Sequence, residues 1–110
     1  MTEYKSAKTI YHFTYENSLE LRNDFFQDKR IKRLLEEEKG GSYLIIFIKM
    51  LLASIEFDGN LYHDELAPSF ASEISLTIGE SVYLVAETIE LLEKYKLAKM
   101  SNDGKAIGFS

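Results

Sequence analysis

The chain has 110 residues, a formal net charge of −5 at pH 7 and 45% hydrophobic residues, with one proline and no cysteine. This length favours one domain with a modest core, and the composition is typical of a compact helical fold and excludes a disordered chain. The lack of cysteine excludes disulfides and thiolate metal sites. No signal-peptide pattern is visible, so we expect a cytoplasmic protein.

The negative charge is concentrated in the second part of the chain. Residues 1–39 contain eight basic and eight acidic residues, whereas residues 40–110 contain five basic and ten acidic residues. Contacts from Lys and Arg to phosphate dominate nucleic-acid affinity. The charge therefore argues against strong non-specific DNA binding by the chain as a whole.

The first predicted element is a strand over Thr9–Tyr15, where aromatic residues alternate with other residues. A strand of this kind seldom stands alone, so we expect it to pair with the later hairpin or with a second copy of the chain. A short helix is predicted over Leu19–Asn23. Asp24 or Asp28 is the predicted cap of the next helix, which runs to about Lys39.

A double glycine separates this helix from an apolar one. Gly40 and Gly41 are predicted to stop the first helix in a left-handed conformation, and Ser42 to cap the second. No GxxxxGK[ST] pattern follows the glycines, which disfavours a phosphate-binding loop. Tyr43–Glu56 is apolar on nearly all sides and is predicted to be the central core helix.

The rest of the chain alternates turn residues with helical and extended patterns. Proline is tolerated in the first turn of a helix, and an Asn-Asp-Gly sequence favours a hairpin. The predicted elements are a turn at Asp58–Asn60, an extended stretch at Leu61–Tyr62, a short helix over Glu65–Ile74 with Pro68 in its first turn, a tight connection over Ser75–Gly79, a long helix over Glu80–Tyr95, and a hairpin over Lys96–Phe109.

Helix, short strand, helix, turn, helix and hairpin follow one another in this order. The order predicts a mainly α fold with a small β-hairpin, the winged helix-turn-helix, with an extra N-terminal strand. We place an N-terminal extension at residues 1–17 and the winged-helix domain at residues 18–110.

The block from Leu19 to Ser54 resembles one known family. The resemblance is carried by Asp24-Phe25-Phe26, Asp28-Lys29-Arg30-Ile31-Lys32, Gly40-Gly41-Ser42-Tyr43, Ile45-Ile46, Ile48-Lys49-Met50-Leu51-Leu52 and the later Phe70-Ala71. The chain is similar, over about residues 18–97, to the N-terminal domain of phage replisome organisers, which are DnaD-like replication-initiation proteins. These are core and capping residues and form no catalytic motif.

The resemblance implies a role for the full protein in replication initiation in the cytoplasm of a bacterial host. It implies that the full protein binds the replication origin and recruits a helicase loader. We expect a homo-oligomer, with origin DNA and a helicase loader or other replication proteins as partners and no membrane partner. Members of the family carry further domains after this one, so the chain resembles the first part of a longer protein. The resemblance does not say which domain contacts DNA.

Six basic residues are the candidate DNA contacts. Four lie on one arc of the predicted 28–39 helix, opposite Ile31, Leu34 and Leu35, and two lie on the wing. The alternative is a solvated surface neutralised by the pairs Lys32–Glu36 and Arg33–Glu37, and wing lysines also protect edge strands from aggregation. The candidates are Lys29, Arg30, Lys32, Arg33, Lys99 and Lys105.

The long helix over residues 80–95 is poorly charged for reading DNA. A recognition helix normally offers Arg, Lys, Asn or Gln to the major groove. The predicted core side of this helix contains Val82, Val85, Ala86, Ile89 and Leu92. Its most polar side contains Glu80, Tyr83, Glu87, Glu90 and Lys94.

Leu84, Leu91 and Tyr95 make the apolar side of this helix wider than packing against one core requires. They indicate either a protein interface or a surface covered by the chain's own N-terminal strand or hairpin. With the aromatic residues of the N-terminal strand, the interface candidates are Tyr11, Phe13, Tyr15, Leu84, Leu91 and Tyr95. Base stacking by the aromatics Tyr4, Tyr11, Phe13, Tyr15, Phe25 and Phe26 is less favoured, because few basic residues are interleaved with them.

No pattern for catalysis, a cofactor or a metal is present. His12 and His63 are the only histidines, and the run His63-Asp64-Glu65 is assigned to an exposed loop. The sequence leaves three hypotheses: a replisome-organiser domain that acts by self-association with or without DNA contact, a sequence-specific winged-helix regulator of transcription, and a protein-only adaptor for a helicase loader.

Overall fold

The computed structural model describes residues 10–109 of the chain. Tyr4 and the first residue of the predicted N-terminal strand, Thr9, lie outside the described residues. The described elements are β1 (Tyr11–Phe13), β2 (Leu19–Leu21), a 3₁₀ turn (Phe25–Gln27), α1 (Lys29–Glu36), α2 (Gly40–Ala53), a second 3₁₀ turn (Ile55–Phe57), β3 (Asn60–Tyr62), α3 (Phe70–Ile78), α4 (Val82–Lys94), β4 (Lys99–Met100) and β5 (Ala106–Gly108).

The C-terminal hairpin is the wing of a winged helix-turn-helix. β5 lies between β3 and β4 and is antiparallel to both, so that Ile107 is opposite Leu61 on one side and Met100 on the other. The helices α3 and α4 are joined by a turn over residues 79–81. This arrangement confirms the predicted mainly α fold with a small β-sheet.

The N-terminal strand pairs with the segment that follows it. β1 and β2 form an antiparallel hairpin with Tyr11 opposite Leu21. The predicted helix over Leu19–Asn23 is therefore wrong, and within one copy the strand pairs with β2 and not with the wing. The cause is local, because Asn17 adopts a left-handed conformation (φ 58°) and turns the chain back on itself.

Gly40 and Gly41 belong to α2 and do not form a left-handed stop. Neither has a positive φ, and α2 begins at Gly40, so the predicted cap at Ser42 is also wrong. Gly40 is needed for a close approach of two helices, because a Cβ added there would lie 2.3 Å from the carbonyl oxygen of Leu35. Gly41 has open space around its Cβ position.

α3 begins and ends later than the sequence predicted. The Ser69 hydroxyl accepts the backbone N–H of Ser72 at 3.1 Å and caps the helix, so Pro68 precedes α3 and does not lie in its first turn. The helix continues to Ile78, through most of the predicted connection. Gly79 then takes the left-handed conformation that ends it (φ 72°).

The loop before α3 is held by a carboxylate from inside the helix. Glu73 is buried, and its two carboxylate oxygens accept the backbone N–H groups of Asp64 and Leu66, each at 2.7 Å. His63 Nε2 lies 3.2 Å from the same carboxylate. These bonds explain why residues 65–69, which were predicted to be helical, form a loop.

α2 is the centre of the core, as predicted from its apolar sequence. Its side chains Ile46, Phe47, Met50 and Leu51 have no exposed surface. Dispersion and the removal of apolar surface from water stabilise this centre. The other core residues with no exposed surface are Ile31, Leu34, Val85, Leu92 and Ile107.

α4 ends in a Schellman motif with a lysine in an unfavourable conformation. The N–H of Leu97 donates to the Leu92 carbonyl at 2.8 Å and that of Lys96 to Glu93 at 3.1 Å, while Lys96 has φ 63°. Glycine is the residue that best tolerates this position.

We therefore expect Lys96→Gly to stabilise the domain by about 0.5–1 kcal/mol in chemical denaturation. Lys94→Gly is the matched control, because Lys94 lies in the regular last turn of α4 and glycine there costs about 1 kcal/mol. A destabilised Lys96→Gly protein would contradict the assigned role of the left-handed residue.

Candidate interaction surfaces

α1 begins at an aspartate cap and is shorter than predicted. The Asp28 side chain accepts the backbone N–H of Arg30 at 2.8 Å, which confirms one of the two expected caps. The helix ends at Glu36 because Glu37 takes an extended conformation, with ψ 156°, so it does not reach Lys39.

Three basic side chains of α1 point into solvent. Lys29, Lys32 and Arg33 are exposed, while Ile31 and Leu34 on the opposite side are buried, as predicted. Within residues 10–109 no ion pair involves Lys29 or Lys32. We call these three residues, Lys29, Lys32 and Arg33, the basic face of α1.

Arg30, the fourth basic residue of the predicted cluster, serves the protein's own structure. Its Nε lies 2.9 Å from Asp28 Oδ1 and its second amino group 3.0 Å from Oδ2, and it also donates to the Lys96 carbonyl at 3.3 Å. Burial of Asp28 raises the pKa of its carboxyl, but the bonds and charge of Arg30 outweigh this and lower it overall. Arg30 thus joins the start of α1 to the end of α4.

Arg33 is also engaged by neighbouring side chains. Its guanidinium lies over the ring of Tyr95, 5.6 Å from the ring centre, and 3.5 Å from Glu36. The predicted pair of Arg33 with Glu37 is absent among the described ion pairs, because Glu37 lies outside α1 and accepts the Tyr95 hydroxyl. The predicted Lys32–Glu36 pair is likewise replaced by Arg33–Glu36.

The two wing lysines have different surroundings. Lys99 is exposed on β4. Lys105 forms an ion pair with Glu65 at 3.1 Å, with both side chains more than half exposed. Glu65 therefore partly neutralises Lys105, whereas Lys99 forms no ion pair with another described residue.

The outward side of α4 is acidic and carries one aromatic ring. Tyr83 is 81% exposed, and Glu87 and Glu90 are exposed on the same side of the helix. The basic residue on this side is Lys94, in the last turn. We call Tyr83, Glu87 and Glu90 the acidic face of α4.

Glu87 also reaches a buried hydroxyl. The Tyr43 side chain, on α2, is buried and donates its hydroxyl proton to Glu87 Oε1 at 3.1 Å. Burial, and then the bond and charge of Glu87, raise the pKa of Tyr43. This contact fixes the outward side of α4 relative to the central helix.

Glu80, which was predicted on the polar side of the long helix, lies just before α4. Its carboxylate is 2.5 Å from Lys49 Nζ on α2, and Lys49 also donates to the Ile78 carbonyl at 3.4 Å. This pair ties the turn between α3 and α4 to the central helix. Glu80 is half-buried and is not part of the acidic face of α4.

The additional apolar residues of α4 are covered by the chain itself. Leu84, Leu91 and Tyr95 are partly buried and pack against the core. Ala86, which was expected on the core side, is exposed, and Thr88 takes a buried position by donating its hydroxyl to the Leu84 carbonyl at 2.6 Å.

The aromatic residues of the N-terminal hairpin divide into packed and free side chains. Tyr11 lies edge-on to Phe47, with ring centres 6.2 Å apart, and its hydroxyl donates to the Phe109 carbonyl. Burial raises the pKa of Tyr11 to about 12, although the charge of Arg30 lowers it in part. Phe13 is partly buried against the core.

Tyr15 is the interface candidate that stands free of the fold, being fully exposed in the hairpin loop. Phe25 is buried, and Phe26 is half-exposed with its ring edge-on to Phe25 at 5.1 Å. Phe25 is therefore a core residue and not a base-stacking one.

The histidines have structural partners. His12 lies 2.6 Å from Glu20 across the N-terminal hairpin, and His63 faces Glu73 and packs on Phe70, with ring centres 6.0 Å apart. Among residues 10–109 no group of three or more His, Asp or Glu side chains is arranged to hold a metal ion.

Several exposed apolar side chains were not recognised as surface residues. Ile45 and Leu52 lie on α2 outside its buried side, and each is about half exposed. The sequence carried no signal for them, because α2 is apolar on all sides. The others with more than half of their surface exposed are Phe26, Phe57, Tyr62, Leu66 and Leu76.

These features define a winged-helix domain with an acidic face on α4 and a separate basic face on α1. The family model of the N-terminal phage replisome organiser matches residues 19–108. The chain therefore belongs to the phage replisome organiser N-terminal family, which confirms the resemblance seen in its sequence. No helix within the described residues is long and apolar enough to cross a membrane.

The match covers the winged helix and the second strand of the N-terminal hairpin. Neither the curated proteins nor the solved structures contain a significant match to the chain.

Proposed function

We propose that this domain acts in DNA replication initiation by self-association, as a scaffold unit on which replication proteins assemble in the host cytoplasm. The observation that carries the proposal is the acidic face of α4. In a winged helix this helix is the one that enters the major groove. Glu87 and Glu90 would there meet phosphate with repulsion, whereas an exposed tyrosine among charges suits a protein contact.

Contact with DNA is a second role that the basic face of α1 favours. Lys29 and Lys32 are exposed and have no ion-pair partner among residues 10–109. Phosphate contacts of this kind position a protein on DNA without reading its sequence. The proposal therefore assigns weak, sequence-independent DNA binding to α1 and none to α4.

Charge reversal on the two helices separates this proposal from a sequence-specific regulator. We expect Lys29→Glu with Lys32→Glu to weaken binding to a DNA duplex by at least about tenfold at low salt, because two phosphate contacts are lost. Tyr83→Ala with Glu90→Gln should leave the affinity unchanged, since α4 does not enter the groove. Fluorescence anisotropy with two unrelated duplexes measures both.

Equal affinity for the two unrelated duplexes is the result the proposal requires. Strong preference for one duplex that Tyr83→Ala with Glu90→Gln abolishes would support the regulator instead. A partner protein captured without measurable DNA affinity would support the protein-only adaptor.

A further inference from the structure

We propose that copies of this domain associate head to tail, with the basic face of α1 in one copy against the acidic face of α4 in the next. This inference rests on the proposed self-association and names the surfaces that produce it. The occupant of each face is therefore a second copy of this chain.

The first support is charge complementarity between two faces that do not satisfy each other within one copy. Lys29 and Lys32 are exposed on α1, and Glu87 and Glu90 are exposed on α4. Among the ion pairs of residues 10–109 none joins these two groups. Complementary charges of this kind steer association and fix its register.

The second support is matched spacing. Lys29 and Lys32 are three residues apart on a helix, and so are Glu87 and Glu90. Residues at this spacing are neighbours on a helix surface, with Cβ atoms about 5–6 Å apart. Two helices lying side by side can therefore place each lysine opposite one glutamate.

The third support is an exposed aromatic residue on the acidic face of α4. Tyr83 is four residues before Glu87, one helical turn away, and is 81% exposed, while Phe26 is half-exposed in the 3₁₀ turn that precedes α1. Aromatic side chains are enriched in protein interfaces, where they provide buried area between polar contacts. The same basic face offers phosphate contacts, but DNA would leave the acidic face of α4 without a partner.

The geometry of the contact has a consequence for the assembly. The two faces lie on different helices, so the contact is heterologous, and in a pair one copy keeps its acidic face free while the other keeps its basic face free. Heterologous contacts produce rings or open chains, not closed two-fold dimers. A scaffold that grows with concentration is the expected form.

A charge-swap experiment in the full chain tests the proposal by sedimentation velocity. The basic-face variant carries Lys29→Glu with Lys32→Glu, and the acidic-face variant carries Glu87→Lys with Glu90→Lys. We expect each variant alone to associate at least about tenfold more weakly than the wild type, because attraction becomes repulsion at the contact. An equimolar mixture should recover association, since the unchanged acidic face of the basic-face variant then meets the unchanged basic face of the acidic-face variant, and the two reversed faces are also opposite in charge.

Two controls separate the contact from net charge and folding. Lys99→Glu and Glu56→Lys change the charge at exposed residues without an ion pair among residues 10–109, and should leave association unchanged. Glu87→Lys also removes the acceptor of the Tyr43 hydroxyl. Glu90→Lys alone keeps that bond, and should weaken association with the thermal unfolding midpoint unchanged.

The outcomes distinguish a failure of the proposed self-association from a failure of the α1–α4 contact. A wild-type chain that stays monomeric would overturn the proposed function and this contact together. A wild type that associates while both variants associate equally well, or a mixture that fails to recover, would overturn only the contact. Loss of DNA binding without loss of association in the basic-face variant would also overturn it, and would assign that face to DNA.

Discussion

Gly40→Ala should be the most destabilising single substitution considered for this domain, at about 3 kcal/mol. The added Cβ would lie 2.3 Å from the Leu35 carbonyl oxygen and 2.7 Å from its Cα, and both are backbone atoms that cannot rotate away. α1 and α2 would have to separate. Since Ile31 and Leu34 of α1 are completely buried, separation would open the core.

The neighbouring glycine provides the control. Gly41 lies in the same first turn of α2 with open space around its Cβ position. Gly41→Ala should therefore stabilise the domain by about 0.5–1 kcal/mol through helix propensity alone. Urea denaturation measures both, and similar stabilities for the two variants would contradict the close approach of the helices.

Glu73→Gln should produce the second largest loss, lowering the thermal unfolding midpoint by several degrees at neutral pH. The carboxylate accepts the N–H groups of Asp64 and Leu66 and lies beside His63. An amide keeps the shape but turns one N–H₂ group toward these donors, which leaves a buried donor without a partner. Glu56→Gln, at an exposed position, is the control and should change the midpoint little.

The pH dependence of this loss has a defined direction. Burial raises the pKa of Glu73, but bonds from the backbone of residues 64, 66 and 67 and the charge of His63 outweigh it, so the pKa lies below its ordinary value of 4.5. The folded state thus favours the carboxylate, and its stabilising effect is complete above the unfolded pKa and lost as the pH falls through the folded pKa.

The difference in midpoint between the wild type and Glu73→Gln should consequently shrink as the pH falls below 4.5. Thermal unfolding followed by circular dichroism over this range measures the difference. A gap that stays constant or widens on acidification would show that the carboxylate does not hold the loop.

The predictable part of the fold is the part that periodicity and turn residues determine. The apolar run of α2 indicated the central helix, and the Asn-Asp-Gly sequence indicated the wing. The order of these elements along the chain was sufficient to predict the winged-helix fold. The family followed from core and capping residues, which the match over residues 19–108 confirms.

Each error depends on a side-chain or backbone contact, or on one backbone angle, that a sequence pattern does not contain. Nothing local shows that Glu73 binds the backbone before its own helix, so the start of α3 was placed too early. The role of Gly40 depends on the closeness of Leu35, which a sequence pattern does not contain. Asn17 fits both a helix cap and a left-handed turn, and only its conformation decides.

The charge of the candidate surfaces was predictable from the sequence. Whether each side chain is free to contact a partner, or is held by the fold itself, was not. The acidic character of α4 was evident from its sequence and holds in the structure. The contact of Arg30 with the Lys96 carbonyl was not evident, because the two residues are distant in sequence. Leu84, Leu91 and Tyr95 were candidates for an interface, yet the core covers part of each.

Sedimentation equilibrium of the wild-type chain over a range reaching high micromolar concentration is the most direct test of the proposed scaffold role. We expect a weight-average mass that rises with concentration at about 0.1 M salt and falls toward the monomer at about 1 M, where the Debye length is about 3 Å. A mass that stays at 12.7 kDa at every concentration and salt level would contradict it.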